Sequence, residues 1–277
     1  HDGRGRTVPY TPEIGTSYTA HVEELELFRN AFAKNELFAV FQPQVFADSG
    51  TVAGCEVLAR WRHPRRGVVG PEHFLPLAEE LDLVADLDRT ILDHALAGHR
   101  EMAARGLAPG SISVNVSARR LASADLLEEL RSRPPLPYGL AFEILETAHL
   151  DTLDTDLTVT MAALKGMGIR VEVDDFGTGH ASLASILALR PDALKIDRMF
   201  TRGVDTDGGR RELMSALLAM AARFGADAVV EGVERASQAR VLADLGAARL
   251  QGYHYARPLD LEAYMNWLAA RRASEAA

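Results

Sequence analysis

Eight short β-rich runs, separated for most of the chain by helical patterns, constrain this 277-residue sequence more than any other feature. The runs are Phe38–Phe46, Val52–Trp61, Ser111–Val116, Leu140–Leu145, Ile169–Val173, Ala193–Ile196, Ala228–Val233 and Leu250–Tyr255. A helix over Ala20–Asn35, with Leu25, Phe28 and Phe32 on one face, precedes them. From the third run onward, helical patterns bracketed by glycine or proline intervene, among them Leu121–Leu130, Thr152–Leu164, Arg211–Phe224 and Ser237–Leu245. Strand and helix in alternation imply βαβ units around a parallel sheet, and eight strands in a chain of this length predict a (β/α)8 barrel. One join breaks the pattern. Ala47-Asp48-Ser49-Gly50 is too short for a parallel crossover and must be a hairpin turn, so one strand runs antiparallel. The expected fold is therefore a modified TIM (β/α)8 barrel with one antiparallel strand, and an open doubly wound sheet is the alternative.

Composition narrows the class. With 47% hydrophobic and 25% charged residues the chain reads as an ordinary globular protein. A net charge of −9 argues against a surface that coats DNA, while leaving room for a small phosphorylated ligand that arrives through bound metal. The lone Cys55 lies in a strand-like run and reads as a small core residue, so a reducing, cytoplasmic setting is expected. No apolar stretch reaches the ~20 residues that span a bilayer, and no membrane contact is expected from this segment. Residues 1–19 read as a linker or leader and residues 20–277 as the barrel domain. The chain begins at His1, and the expectation is a cytosolic piece of a longer protein, fused to an upstream regulatory domain, with any membrane anchor elsewhere in that protein.

The carboxyl ends of the runs carry charge repeatedly. They bring Glu56 and Arg60, then Asn115, then Glu143 and Glu146, then the adjacent Asp174 and Asp175, then Lys195 and Asp197, then Glu231 and Glu234, and finally Gln251. That end of a barrel builds the active face, and such residues are poor core material without partners. Glu56, Asn115, Glu143 and Asp174 offer four oxygen donors suited to a hard cation, Mg²⁺ or Mn²⁺. Asp174 could bridge to a second ion held by Asp175 and Glu231, an arrangement that clamps the attacking and leaving oxygens of a phosphoryl displacement. Lys195 then reads as a charge beside the phosphate, as a group that orients or deprotonates water, or simply as a salt-bridge partner of the carboxylates. Arg60 offers a planar fork for phosphate oxygens. Gly177-Thr178-Gly179 lacks the spacing of a phosphate loop and reads as a tight turn that positions the aspartates. His63, His94, His99, His180 and His254 are scattered without ligand spacing, which speaks against zinc.

These segments resemble the EAL domain family, bacterial phosphodiesterase domains for cyclic di-GMP. The matching segments are Phe41-Gln42-Pro43-Gln44, Glu56-Val57-Leu58-Ala59-Arg60-Trp61, Ser113-Val114-Asn115-Val116-Ser117, Phe142-Glu143-Ile144-Leu145-Glu146, Asp174-Asp175-Phe176-Gly177-Thr178-Gly179, Lys195-Ile196-Asp197-Arg198, Glu231-Gly232-Val233-Glu234 and Gln251-Gly252-Tyr253. The resemblance covers about Ala20 to Trp267. It implies metal-dependent hydrolysis of one phosphodiester of cyclic di-GMP to linear pGpG, with two ions per site. By position it gives Glu56, Asn115, Glu143 and Asp174 to one metal, and Asp174, Asp175 and Glu231 to the other. Lys195 and Glu231 fall in the catalytic set. Glu146 falls there too, as the residue that steadies the loop after Asp175. Gln42, Glu56, Leu58, Arg60, Asp197, Arg198, Glu234 and Gln251 fall in the substrate-binding set. A homodimer is also implied. Departures are Val57 for alanine, His180-Ala181 for Tyr-Ser, and Arg235 for a small polar residue. The competing functions are a silent cyclic di-GMP sensor, which would usually lack one of these ligands, and a docking module.

Overall fold

The computed structural model describes residues 12–134, 139–145, 155–178, 186 and 189–275. Along the chain these form α1 (Pro12–Ala33), β1 (Leu37–Phe46), β2 (Val52–His63), β3 (Gly67–Val69), α2 (Pro71–Glu80), α3 (Val84–Ala104) and β4 (Ser111–Asn115). Then follow α4 (Ala118–Leu121), α5 (Leu126–Ser132), β5 (Leu140–Leu145), α6 (Thr155–Gly166), β6 (Arg170–Phe176) and β7 (Ala193–Ile196). The chain continues through α7 (Arg198–Thr201), α8 (Gly208–Arg223), β8 (Asp227–Val230), α9 (Ala236–Asp244), β9 (Arg249–Gln251) and α10 (Leu261–Glu275). The chain divides into two compact units, His1–Phe38 with Arg60–Leu83, and Ala39–Ala59 with Val84–Ala277.

The larger unit is the barrel. Strands β2, β4, β5, β6, β7, β8 and β9 pair in parallel in that order, and β1 closes the ring by running antiparallel to β9, with Gln44 opposite Gln251, and by pairing with β2. The antiparallel strand follows from the hairpin, where the Phe46 amide donates to the Thr51 carbonyl at 2.9 Å and Gly50 takes φ +68°. Alternate residues divide two environments. Val114, Phe142, Val171 and Leu194 are fully buried among apolar residues, and α3, α6 and α8 pack on β4, β6, β7 and β8. Their neighbours in sequence, Ser113, Glu143, Glu172 and Lys195, are equally buried but hydrogen-bond to one another across the barrel. The apolar core therefore lies between strands and helices, and the lumen is polar.

The smaller unit contains α1, the end of β2 paired antiparallel with β3, and α2. Phe28 packs edge-on to Trp61 at 5.3 Å and stacks on Phe74 at 5.8 Å, all three fully buried. Trp61 also donates its indole N–H to Glu36 at 3.3 Å. Phe28→Ala is expected to cost about 3–5 kcal/mol in urea unfolding, and a loss under 1 kcal/mol would show that this cluster contributes little.

Several boundaries differ from expectation. Helix α1 begins at Pro12, inside the segment expected as linker, and gives way at Asn35, whose φ of +53° is left-handed. The helix expected over Leu121–Leu130 is two, because Ser117 caps α4 through the Arg120 amide and the chain turns before α5. Strand β8 stops at Val230 and β9 at Gln251, shorter than expected. At Gly252 a side chain would meet the Val233 carbonyl oxygen at 2.1 Å, so these two exits are pressed together as loops. Strand β3 and helices α2, α3 and α10 had no counterpart among the expected elements.

Candidate active site

The paired aspartates owe their separate positions to a bulge. Val173 opposes Leu194 and Phe176 opposes Ile196, so Asp174 and Asp175 together face the single residue Lys195. Asp175 takes φ +57°, a left-handed conformation that aspartate tolerates better than most residues. Asp174 keeps the inward parity of Glu172 and is buried, while Asp175 is half-buried and donates its amide to Asp174 Oδ1 at 3.0 Å. Gly177 follows with φ +97°. A Cβ there would lie 2.9 Å from the Phe200 ring, so the turn needs glycine.

Lys195 is the centre of the site. Its Nζ lies 2.8 Å from Glu143, 2.8 Å from Glu231, 3.0 Å from Asp174 and 3.4 Å from Glu56, and the residue is wholly buried. Asn115 donates to Glu56 at 3.2 Å and to Glu143 at 3.4 Å. Gln251 donates to Glu56 at 2.5 Å and to Gln42 at 3.2 Å. Six parallel strands, the residue after β8 and β1 thus converge eight of the expected residues on one point. Asp197 caps α7 through the Met199 amide, Arg198 and Glu234 are exposed, and Leu58 is half-buried. Arg60 is half-buried on the part of β2 that belongs to the smaller unit. Glu146, His180 and Ala181 lie outside the described residues. Arg235 pairs with Asp205 at 2.7 Å, which gives that departure a local structural role in the loop before α9.

Crowding of like charge in a dry space sets the protonation states. Burial pushes Glu143 well up, reinforced by Glu56 and only partly opposed by Lys195. Burial likewise pushes Glu231 up to about 8, again against the pull of Lys195. For Glu56 burial acts in the same direction, but Lys195 and hydrogen bonds including that from Gln251 outweigh it and leave the carboxyl below its usual value. Burial would discharge Lys195, yet Asp174, Glu143, Glu231 and Glu56 together hold its ammonium charged well above the ordinary lysine range. Burial and the charges of Asp174 and Asp197 raise Asp175.

The donors fit a hard divalent cation. Oxygens of Glu56, Glu143 and Asp174 lie within 4.8 Å of one another, and Glu143 Oε1 is buried without a hydrogen-bond partner. Protons held by Glu143 and Glu231 would leave when positive charge arrives. In EDTA, wild type should therefore lose stability relative to Glu231→Gln as pH rises from 4.5 toward about 8, because the folded state keeps a proton that the unfolded chain releases. Saturating Mn²⁺ should remove that slope in urea unfolding, and a pH-independent difference in EDTA would contradict the assignment.

A second cluster, Glu24, His63 and His73, also brings three possible ligands together. His63 Nδ1 accepts the Arg65 and Arg66 amides at 3.0 and 3.2 Å, so Nε2 carries the proton and donates to Glu24 at 2.9 Å. That nitrogen is a donor and does not offer a lone pair to a metal. Residues with no place in the expected site are Ser113, Glu172, Arg249 and Gln44, which form a buried layer beneath it. The signal was available: Glu172 and Arg249 stand two residues before Asp174 and Gln251, on the same strand face.

Comparison with known proteins agrees with this architecture. The profile of the EAL domain matches residues 26–258. The Mycobacterium tuberculosis protein Rv1354c is 32% identical over 98% of this chain and 44% of that protein. The Pseudomonas aeruginosa bifunctional diguanylate cyclase/cyclic di-GMP phosphodiesterase MucR is 35% identical over 87% of this chain and 36% of its own length. The solved structure of PaMucR phosphodiesterase in its c-di-GMP complex superposes with a TM-score of 0.78 and 34% identity, covering 87% of this chain and 99% of that one. This chain spans less than half the length of these two relatives. Profile match, relatives and barrel together show that the chain belongs to the EAL domain family.

Proposed function

We propose that this domain hydrolyses cyclic di-GMP to linear pGpG. The observation that carries the reading is the buried Lys195 shared by Glu56, Glu143, Asp174 and Glu231 at the ends of parallel strands. A layer that costly to bury is expected where it does chemistry. The c-di-GMP complex of PaMucR, alike in fold and a third identical, supports the substrate.

Glu56, Asn115, Glu143 and Asp174 would hold one Mg²⁺ or Mn²⁺, and Asp174, Asp175 and Glu231 a second. Bound there, the ions would supply charge neutralisation and a water of lowered pKa. Lys195, held as an ammonium by Asp174, Glu143, Glu231 and Glu56, is a hydrogen-bond donor and charge that would act on the nucleophilic water or phosphate by orientation and attraction. Gln251 steadies Glu56 and Gln42. Arg60 supplies a fork for a phosphate, with Leu58, Asp197, Arg198 and Glu234 completing substrate contacts, and Glu146 steadies the loop after Asp175. Among the described residues no helix is long and apolar enough to cross a membrane. A cytoplasmic homodimer under the control of an upstream domain is the setting we infer.

Incubation with cyclic di-GMP and Mn²⁺, followed by chromatography, tests the reading. Appearance of pGpG, abolished by EDTA, is expected. Tight binding of cyclic di-GMP without product would replace the enzyme with a sensor.

A further inference from the structure

Beneath the carboxylate–lysine cluster lies a hydrogen-bonded chain whose direction is set at both ends. Arg249, 3% exposed, donates Nη2 to Glu172 Oε1 at 2.7 Å and Nη1 to Gln44 Oε1 at 2.9 Å. Gln44, fully buried, donates Nε2 to Gln251 Oε1 at 2.9 Å. Gln251 then donates Nε2 to Glu56 Oε2 at 2.5 Å and to Gln42 Oε1 at 3.2 Å. Glu172 is fixed in turn by the Ser113 hydroxyl at 3.3 Å.

A primary amide can present either end to a neighbour, and its two orientations differ little in shape. Here the orientation is not free. A guanidinium only donates and an ionised carboxylate only accepts. With Arg249 at one end and Glu56 at the other, both intervening amides must point the same way. If Gln44 turned, its NH₂ would face the guanidinium and its carbonyl would face the Gln251 carbonyl. If Gln251 turned, its carbonyl would face the Glu56 carboxylate. In a dry lumen each such clash leaves buried polar groups unpaired.

We infer that Arg249, anchored by Glu172, is a positioning residue that acts through Gln44 and Gln251 to fix the Glu56 carboxylate, leaving Glu56 Oε1 turned toward Asn115 and Lys195. The inference rests on the reading of Glu56 as a cation ligand. None of the four residues of the relay's lower part touches the reacting centre; their effect is the polarity they impose on an amide that does.

Three variants test it, with Mn²⁺ affinity measured by EPR titration in the absence of substrate. Gln44→Glu keeps shape and the contact with Arg249 but presents acceptors at both ends, so Mn²⁺ should bind roughly 10-fold more weakly. Glu172→Gln/Arg249→Met removes the anchoring donor without stranding a buried charge and should show a similar loss. Arg249→Lys keeps the charge and the donor and should stay within about threefold of wild type, since the donor to Gln44 is what the tuning depends on. Wild-type affinity in Gln44→Glu, or a loss in Arg249→Lys as large as in the double variant, overturns the inference. If the double variant fails to unfold cooperatively, Gln44→Glu alone decides. If wild type binds Mn²⁺ but makes no pGpG, the proposed hydrolysis fails while the titrations still judge the relay.

Discussion

Lys195→Met is expected to cut cyclic di-GMP turnover by about 10²–10³-fold or more, the loss seen when a preorganised charge or donor is taken from a dry site. The same change should leave Mn²⁺ binding intact or tighter. Lys195 Nζ touches all four carboxylates within 3.4 Å, so the ammonium competes with any cation for the oxygens it holds. Without metal the variant strands carboxylates that burial already disfavours, and breaking such a buried cluster costs about 3–5 kcal/mol. In EDTA it should therefore unfold at lower urea than wild type. Saturating Mn²⁺ should recover that stability by mass action without recovering turnover. A variant that binds metal normally and hydrolyses substrate at the wild-type rate would remove Lys195 from the chemistry.

Asp174→Asn should cost more than about 100-fold in turnover, beyond the 10–100-fold typical of residues that only support a ligand. Asp175→Asn should cost clearly less. The bulge on β6 gives the physical reason for the asymmetry. Asp174 points into the lumen 3.0 Å from Lys195, buried among the other carboxylates, whereas Asp175 is half-buried on the left-handed residue beside it. Asparagine tolerates that backbone conformation as aspartate does, so the comparison isolates charge from strain. Steady-state hydrolysis of cyclic di-GMP at fixed Mn²⁺ provides the measurement. Equal losses at both positions would show that the two aspartates share one role.

The legible part of this protein was periodic or local. Alternation of strand and helix implied the barrel, and four residues between Phe46 and Thr51 implied its antiparallel strand, because a parallel crossover needs about a dozen residues or more. Charge at strand ends pointed to Glu56, Asn115, Glu143, Asp174, Lys195, Glu231 and Gln251, since lysine and carboxylates rarely occupy a lumen without partners. Elements α2, α3 and α10 were not legible in the same way. Packing against segments remote in sequence sets such places, as where Tyr264 of α10 stacks on Phe41 of β1.

What the residues determined by themselves was chemical type and strand parity: oxygen donors at one end of a parallel sheet, and one lysine among them. What only the tertiary structure decided was register and direction. The bulge that sets two aspartates against one lysine depends on how β6 pairs with β7. The buried Glu172–Arg249 pair depends on two strands meeting across the lumen. Neither pairing is written in local sequence, because inward-facing side chains from distant strands acquire partners only when the barrel closes.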